Sequence, residues 1–453
     1  MVIRPGPVSL PEATALTELA RVRTSREPDR ALLHANELDI QLAARGWTLP
    51  VTYGANGISS TGLPHPRTSD LSPDLMLATL ARAEADASKE GYGATLAFAF
   101  RSAQGPEIKA LNLLYANCAT ASESLWLKFF NKYLAYFGKN EEHDSDSAPY
   151  SIGLSHGVGD RFSRLRGAHA YAGVNSGPLI SVLMPVRNAA ATLKAAAESI
   201  LNQTWRRLEL ILIDDCSNDP SMEVAEKLAA HDARVRLVQL NTPGGPYIAK
   251  NVGLQSATGD FITVHDADDW AFPTRLADQI RPILDDRSAT LKVTMGKSLR
   301  MTASGLFTRF QPVGWVTSDG AMRWCFPSPL FERRFFLEKL GAWDSVRVGA
   351  DTEIVQRVRR FAAQTIRVLD IPVMLQLDSE GSLTRHPDTY NDDRGEAPAR
   401  EHYRQQWQRW HATHAEMPRF TFPLVQRPFD VMPALQGHAL DVADLVRVTR
   451  GNR

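Results

Sequence analysis

The sequence has very little cysteine. Only Cys118, Cys216 and Cys325 occur in 453 residues. They are odd in number and far apart, which excludes a disulfide framework and a cysteine-based metal site, so a reducing cytoplasm is expected. An excess of charge of one sign is also missing. The chain has 51 Lys and Arg against 51 Asp and Glu, with a pI near 7.2. No nucleic-acid partner is therefore expected, although a local membrane-facing patch stays open. No apolar run approaches the roughly 18 residues that a membrane-spanning helix needs. The opening MVIRPGPVSLPEAT has no apolar h-region, so no signal peptide is expected either.

The chain is long enough for two or three domains with ample core. Residues 1–140 show helical spacing of apolar residues in PEATALTELARVR, DRALLHANELDIQLAARGW, SPDLMLATLARAEADASKEG and EIKALNLLYANCATASESLWLKFFNKYLAYFG. A helical, hairpin-like domain is expected there, followed by a charged linker over 141–177. At Pro178 the character changes. LISVLMPV, LELILIDD, VRLVQL and DFITVHDADD read as buried strands, and TLKAAAESILNQ, SMEVAEKLAAHD and YIAKNVGLQSAT read as the helices between them. That alternation implies right-handed crossovers and a mostly parallel sheet covered on both faces, an α/β fold over 178–385. Residues 386–453 are expected to form a helical C-terminal extension.

In such sheets ligands bind at the carboxyl ends of the strands. The unusual residues lie there: MPVRN after the first strand, DDCSND after the second, HDADDW after the fourth. Asp215 is expected to accept hydrogen bonds from an imide or a ribose, while Ser217 or Asp219 caps the next helix. Asp266, Asp268 and Asp269 crowd into four positions. A solvated acidic turn that caps a helix is the plain alternative. The sharper one is a site for Mg²⁺ or Mn²⁺, because carboxylates and a diphosphate can share a place only around a cation.

Here the sequence resembles a family. ISVLMPVRNAAATLKAAAESILNQTW, ELILIDDCSND, AKNVGLQSATGDFITVHDADDW and LGAWDSVRVGADTEIVQRV, in that order, look like an inverting family 2 glycosyltransferase of the GT-A fold. The resemblance implies a UDP-sugar donor, a saccharide or lipid-linked acceptor, and a cytoplasmic enzyme of surface polysaccharide synthesis in peripheral contact with the inner membrane. It puts Pro185, Arg187, Asn188, Asp215, Lys250, Asp266 and Asp268 at the donor, and Asp268 and Asp269 on Mn²⁺ or Mg²⁺, with His386 as a further candidate ligand. Asp351 in the GAD triplet inherits the catalytic base, although it also sits where a helix N-cap is expected. Lys250 replaces the family's usual Arg and keeps the charge without the planar fork.

QWQRW, Gln406–Trp410, matches a motif of membrane-embedded polysaccharide synthases, but REHYRQQWQRWHATH also reads as an amphipathic helix packed on the core. Two rival functions stay open. A nucleotidyltransferase would carry glycines that MPVRNAAATL lacks. An inactive carbohydrate-binding or scaffold protein would have damaged acids, and these acids are present.

Overall fold

The computed structural model describes most of residues 150–437, with breaks at 169–171, 310–316, 318, 380 and 393–394. It also describes 109–119, 122–137, the short antiparallel pair Tyr53–Gly54 with Gly57–Ile58, and Val446–Arg447. The expected helices between residues 11 and 108 lie outside the described residues. By compactness the chain divides into two units, Met1–Ala148 with Leu299–Arg323, and Pro149–Ser298 with Trp324–Arg453.

In the first unit, Leu111–Cys118 and Glu123–Leu134 are helices, with Ser122 capping the second through Leu125 N–H. Residues 299–323, expected inside the 178–385 domain, group with these helices. The Trp126 indole N–H donates to Gly305 O at 2.8 Å, and Asn117 exchanges hydrogen bonds with Phe307 at 2.8 and 2.7 Å. Tyr133 donates to the buried Asp319 at 2.7 Å.

The second unit is the expected alternation. In chain order it runs β1 (Ile180–Val186), α1 (Leu193–Leu201), β2 (Leu208–Asp214), α2 (Ser221–His231), β3 (Val235–Leu240), α3 (Pro246–Ser256), β4 (Phe261–Val264) and α4 (Arg275–Leu284). The four strands are parallel in the order β3-β2-β1-β4. Every residue of β2 and β4 is buried, and every residue of β1 except Pro185. Strands covered on both faces have no polar side, which is why they read as unbroken apolar runs. Leu183, Ile211 and Ile213 pack with Ile248 and Val252 of α3 on one face. Val182, Met184, Leu210 and Leu212 pack with α1 and α4 on the other.

Beyond β4 the sheet turns antiparallel through β5 (Val293–Met301), β6 (Leu330–Glu332) and β7 (Ile366–Leu377), with α5 (Ala350–Phe361) between the last two. Part of the expected linker is folded. Ile152–Leu154 pairs with Leu165–Gly167, and the Tyr150 hydroxyl donates to Asp278 at 3.0 Å. The C-terminal extension contains one long helix, α6 (Pro398–Ala412), as the spacing predicts, with Tyr403, Trp407 and Trp410 buried. After α6 the chain through Gly437 is not helical apart from one turn at Pro433–Leu435. Pro418, Pro423, Pro428 and Pro433 recur every fifth residue, and each removes a helical N–H and clashes with the preceding turn.

Gly259 lets the start of β4 approach β1. A Cβ there would lie 2.7 Å from Ser181 N and 2.8 Å from Leu179 O, both backbone atoms that cannot swing aside. Gly259→Ala is expected to cost about 1–3 kcal/mol. The check is urea unfolding, where the midpoint falls with the slope unchanged; an unmoved midpoint contradicts this packing.

Candidate active site

The loops after β1 and β2 are tied together before any ligand is considered. Val186 pairs with Asp214, so both strands end level. Asn188 takes a left-handed backbone, φ 49°, which asparagine tolerates better than most residues. Its N–H donates to Ser217 Oγ at 3.0 Å, and its side-chain oxygen accepts from Asn218 N–H at 2.9 Å. Asp219 accepts from Ala190 N–H at 3.1 Å and from Ser221 N–H at 3.0 Å. Ser217 therefore braces the neighbouring loop and does not cap α2, whose cap position is Pro220. The Arg187 guanidinium donates to the backbone oxygen of Asp215.

Asp215 is 5% exposed. Its carboxylate accepts from Gly244 N–H at 2.6 Å and Gly245 N–H at 3.0 Å. Burial raises its pKa; the two amides and Arg187 oppose that, and the net direction is upward. Each oxygen already holds one backbone donor and keeps one further acceptor direction.

Those amides open α3, with Gly245 at φ +88° and Pro246 in the first helical position. Tyr247 and Lys250 then stand one turn apart on one face. Lys250 is 3% exposed; its Nζ lies 3.3 Å from Asp266 Oδ1 and 4.7 Å from the centre of the Tyr247 ring. The Tyr247 hydroxyl accepts from Asp351 N–H at 3.3 Å. Burial, reinforced by the charge of Asp351, pushes that hydroxyl well above its ordinary range. Sequence reasoning missed Tyr247, because an aromatic in an amphipathic helix reads as core. The available signal was its place one turn before Lys250.

Asp351 is not the N-cap. Gly349, at φ +91°, takes that position, and Asp351 is the second residue of α5. A left-handed cap suits glycine, which leaves the acid in the first turn, where the helix dipole favours it. Asp351 is half-buried and accepts from Thr352 N–H at 2.7 Å.

The acidic loop after β4 is split by its surroundings. Asp266 keeps 32% of its side chain exposed beside Lys250, and Asp268 is half-exposed. Asp269 is buried and accepts from Leu377 N–H at 3.1 Å. His386 lies exposed in a turn, where its Nδ1 accepts from Asp388 N–H at 3.3 Å. Among the described residues, no group of three or more His, Cys, Asp or Glu side chains is placed to hold a metal ion. The loop is therefore no closed protein cage. Its half-exposed acids, Asp266 and Asp268, are hard oxygen donors of the kind that suit Mg²⁺ or Mn²⁺.

Under this loop sits a buried pair that spacing did not reveal. Arg275 is fully buried and donates to His265 Nδ1 at 3.0 Å, Thr263 Oγ1 at 3.0 Å and Val264 O at 2.8 Å. Burial lowers Arg275 to about 10 and holds His265 well below its usual range, so the imidazole is neutral. Its Nε2–H then donates to Asp269 O at 3.1 Å.

Glu353, two residues past Asp351, belongs to a different structure. It is fully buried, 3.0 Å from Arg357 Nε and 2.8 Å from His411 Nε2. Removing one partner of a buried pair costs far more than changing an acid at a cleft. Glu353→Gln is expected to lose about 3–5 kcal/mol of stability, and Asp351→Asn less than about 1 kcal/mol. Thermal unfolding of both variants checks this; equal losses contradict the division.

Residues 181–311 match the family model described as Glycosyl transferase family 2. An uncharacterized glycosyltransferase of Haemophilus influenzae is 43% identical over 109 residues, 24% of this chain and 44% of that protein. The succinoglycan biosynthesis protein ExoO of Rhizobium meliloti is 31% identical over 189 residues, 38% of this chain and 53% of that protein. The chain spans about half the length of these curated relatives. Among solved structures, Staphylococcus aureus TarS in complex with UDP aligns with a TM-score of 0.37 and 19% identity, over 45% of this chain and 61% of that one. Four parallel strands in the order 3-2-1-4, acids at their carboxyl ends and the match over 181–311 together lead to one conclusion: residues 181–311 are similar to the family 2 glycosyltransferases.

Proposed function

We propose that the protein transfers a sugar, with inversion, from a UDP-sugar to a saccharide or lipid-linked acceptor. The observation that carries this reading is α3. One face of it joins Asp266 to Lys250 and Tyr247 to Asp351, and its first turn holds Asp215. A donor-side acid and a candidate base thus meet on one rigid element.

In this reading Asp215 directs its remaining acceptor positions to the nucleobase or ribose. Arg187 and Asn188 shape the wall beside it, with Pro185 at the end of the strand below. Lys250 lies next to Asp266, where the diphosphate would arrive, and offers positive charge to it. Asp351 takes the proton of the acceptor hydroxyl as that oxygen attacks the anomeric carbon. Its half-buried place in the first turn of α5 leaves it reachable from solvent and fixed in direction. Asp268 and Asp266 would hold Mn²⁺ or Mg²⁺, which when bound neutralises charge growing on the departing diphosphate. The name of the ExoO relative supports surface polysaccharide synthesis as the setting. Among the described residues no helix is long and apolar enough to cross a membrane. We place the enzyme in the cytoplasm, in peripheral contact with the membrane where a lipid-linked acceptor would lie.

The test is a panel of UDP-sugars read as thermal shift and as UDP release, with Mn²⁺ and with EDTA. Stabilisation is expected only with the metal. Asp351→Asn should keep UDP binding within a factor of about two and lower transfer by about two to four orders of magnitude, the usual worth of a positioned base. UDP binding indifferent to EDTA contradicts the metal. Near-normal transfer by Asp351→Asn contradicts the base.

A further inference from the structure

The family match ends at residue 311, yet chain more than a hundred residues later reaches the loop that leads into Asp351. That loop, residues 343–349, leads directly into α5. One end is pinned by α3: Asn251 and Trp343 exchange hydrogen bonds at 2.9 and 3.0 Å. The middle is pinned by the proline-spaced segment 418–437. Arg427 donates to Asp344 Oδ1 at 2.8 Å and to Ser345 O. Arg347 N–H donates to Leu435 O at 2.8 Å, Val346 bridges to Gln436, and Gly437 N–H donates to Ser345 O at 3.2 Å. Gly437 also lies against the first turn of α3. A Cβ on it would sit 2.9 Å from Ile248 Cδ1 and 3.2 Å from Gly244 O. The same segment therefore touches the loop leading into the base-bearing helix and the turn whose amide holds Asp215.

Asp344 is the centre of this arrangement. Its side chain is fully buried, and Arg427, 22% exposed, is its ion-pair partner. Burial pushes Asp344 up to about 6 even with that guanidinium against it. Tyr403 of α6 lies nearby, its hydroxyl pushed well above the ordinary range by burial and by the charge of Asp344. A carboxylate placed in such surroundings is costly unless something needs its geometry.

We propose that Arg427 is a positioning residue for Asp351. Through the buried Asp344 it fixes the 343–349 loop, which makes the segment 418–437 a working part of the active site. The assignment rests on the reading of Asp351 as the base. An error of about 1 Å in a reacting group can cost on the order of a hundredfold in rate, so loosening this loop should act on turnover more than on donor binding.

The test compares full-length wild type with Arg427→Gln, Arg427→Lys and the paired variant Asp344→Asn/Arg427→Gln, which leaves no unpaired buried charge. UDP release from UDP-glucose or UDP-N-acetylglucosamine gives kcat and KM, and hydrogen exchange follows the 343–351 backbone. Arg427→Gln should lower kcat at least about tenfold, keep the donor KM within about threefold and speed exchange at 343–351. Arg427→Lys, which keeps the charge, should recover most of the kcat. Val425→Ser, at a residue 92% exposed on the same segment, should change nothing. If Arg427→Gln does not fold, the paired variant carries the same two readouts. Unchanged exchange at 343–351 overturns the proposal, as does normal kcat in a variant whose loop has loosened. If the wild type releases no UDP, the functional reading fails, while the exchange data still decide whether Arg427 holds the loop.

Discussion

The contact between Lys250 and Asp266 is the constraint on which the site depends. A lysine 3% exposed is costly to bury unless a carboxylate meets it, and Asp266 does so at 3.3 Å. This fixes α3 against the acidic end of β4. Once α3 is fixed, its other polar residues have little choice. The amides of Gly244 and Gly245 close on Asp215, the Tyr247 hydroxyl reaches Asp351 N–H, and Asn251 locks Trp343. Gly253 lets the helix lie this close: a Cβ there would come within 2.7 Å of Ile213 Cδ1.

Around this helix the polar groups divide by burial. Asp266, Asp268 and Asp351 keep some exposure and can meet a ligand. Asp269, His265 and Arg275 are buried beneath them and spend their hydrogen bonds on the protein. Among the described residues, the hydrogen-bond partners of Arg275 are Gln279, His265, Thr263, Val264 and Ser328, none of them a carboxylate. Neutral acceptors satisfy its N–H groups; burial works against its charge, and the charges of Asp269 and Asp266 above favour it. The arrangement sets buried, internally bonded groups beneath partly exposed acids, the division that the proposed role would use.

Much of this was legible in the sequence. The unbroken apolar runs of β1, β2 and β4 reveal a sheet buried on both faces, and acids just past those runs must lie at the carboxyl edge. The Trp407 and Trp410 spacing correctly gave a packed helix. Other features carry no local signature. A buried arginine bonded to neutral acceptors looks like a surface arginine. Gly349 takes the cap from Asp351 through a backbone angle that spacing does not encode. The grouping of residues 299–323 with earlier helices rests on contacts such as Trp126 to Gly305, 179 positions apart. The proline-spaced segment 418–437 is fixed by distant loops, so its own pattern only says that it is not a helix.

A double-mutant cycle across Lys250→Met and Asp266→Asn, read by urea unfolding, tests the central claim most directly. If α3 is anchored through this pair, the two changes should be strongly non-additive, with a coupling of about 1–3 kcal/mol. Additivity within about 0.5 kcal/mol would mean that Lys250 and Asp266 stand side by side without holding the helix.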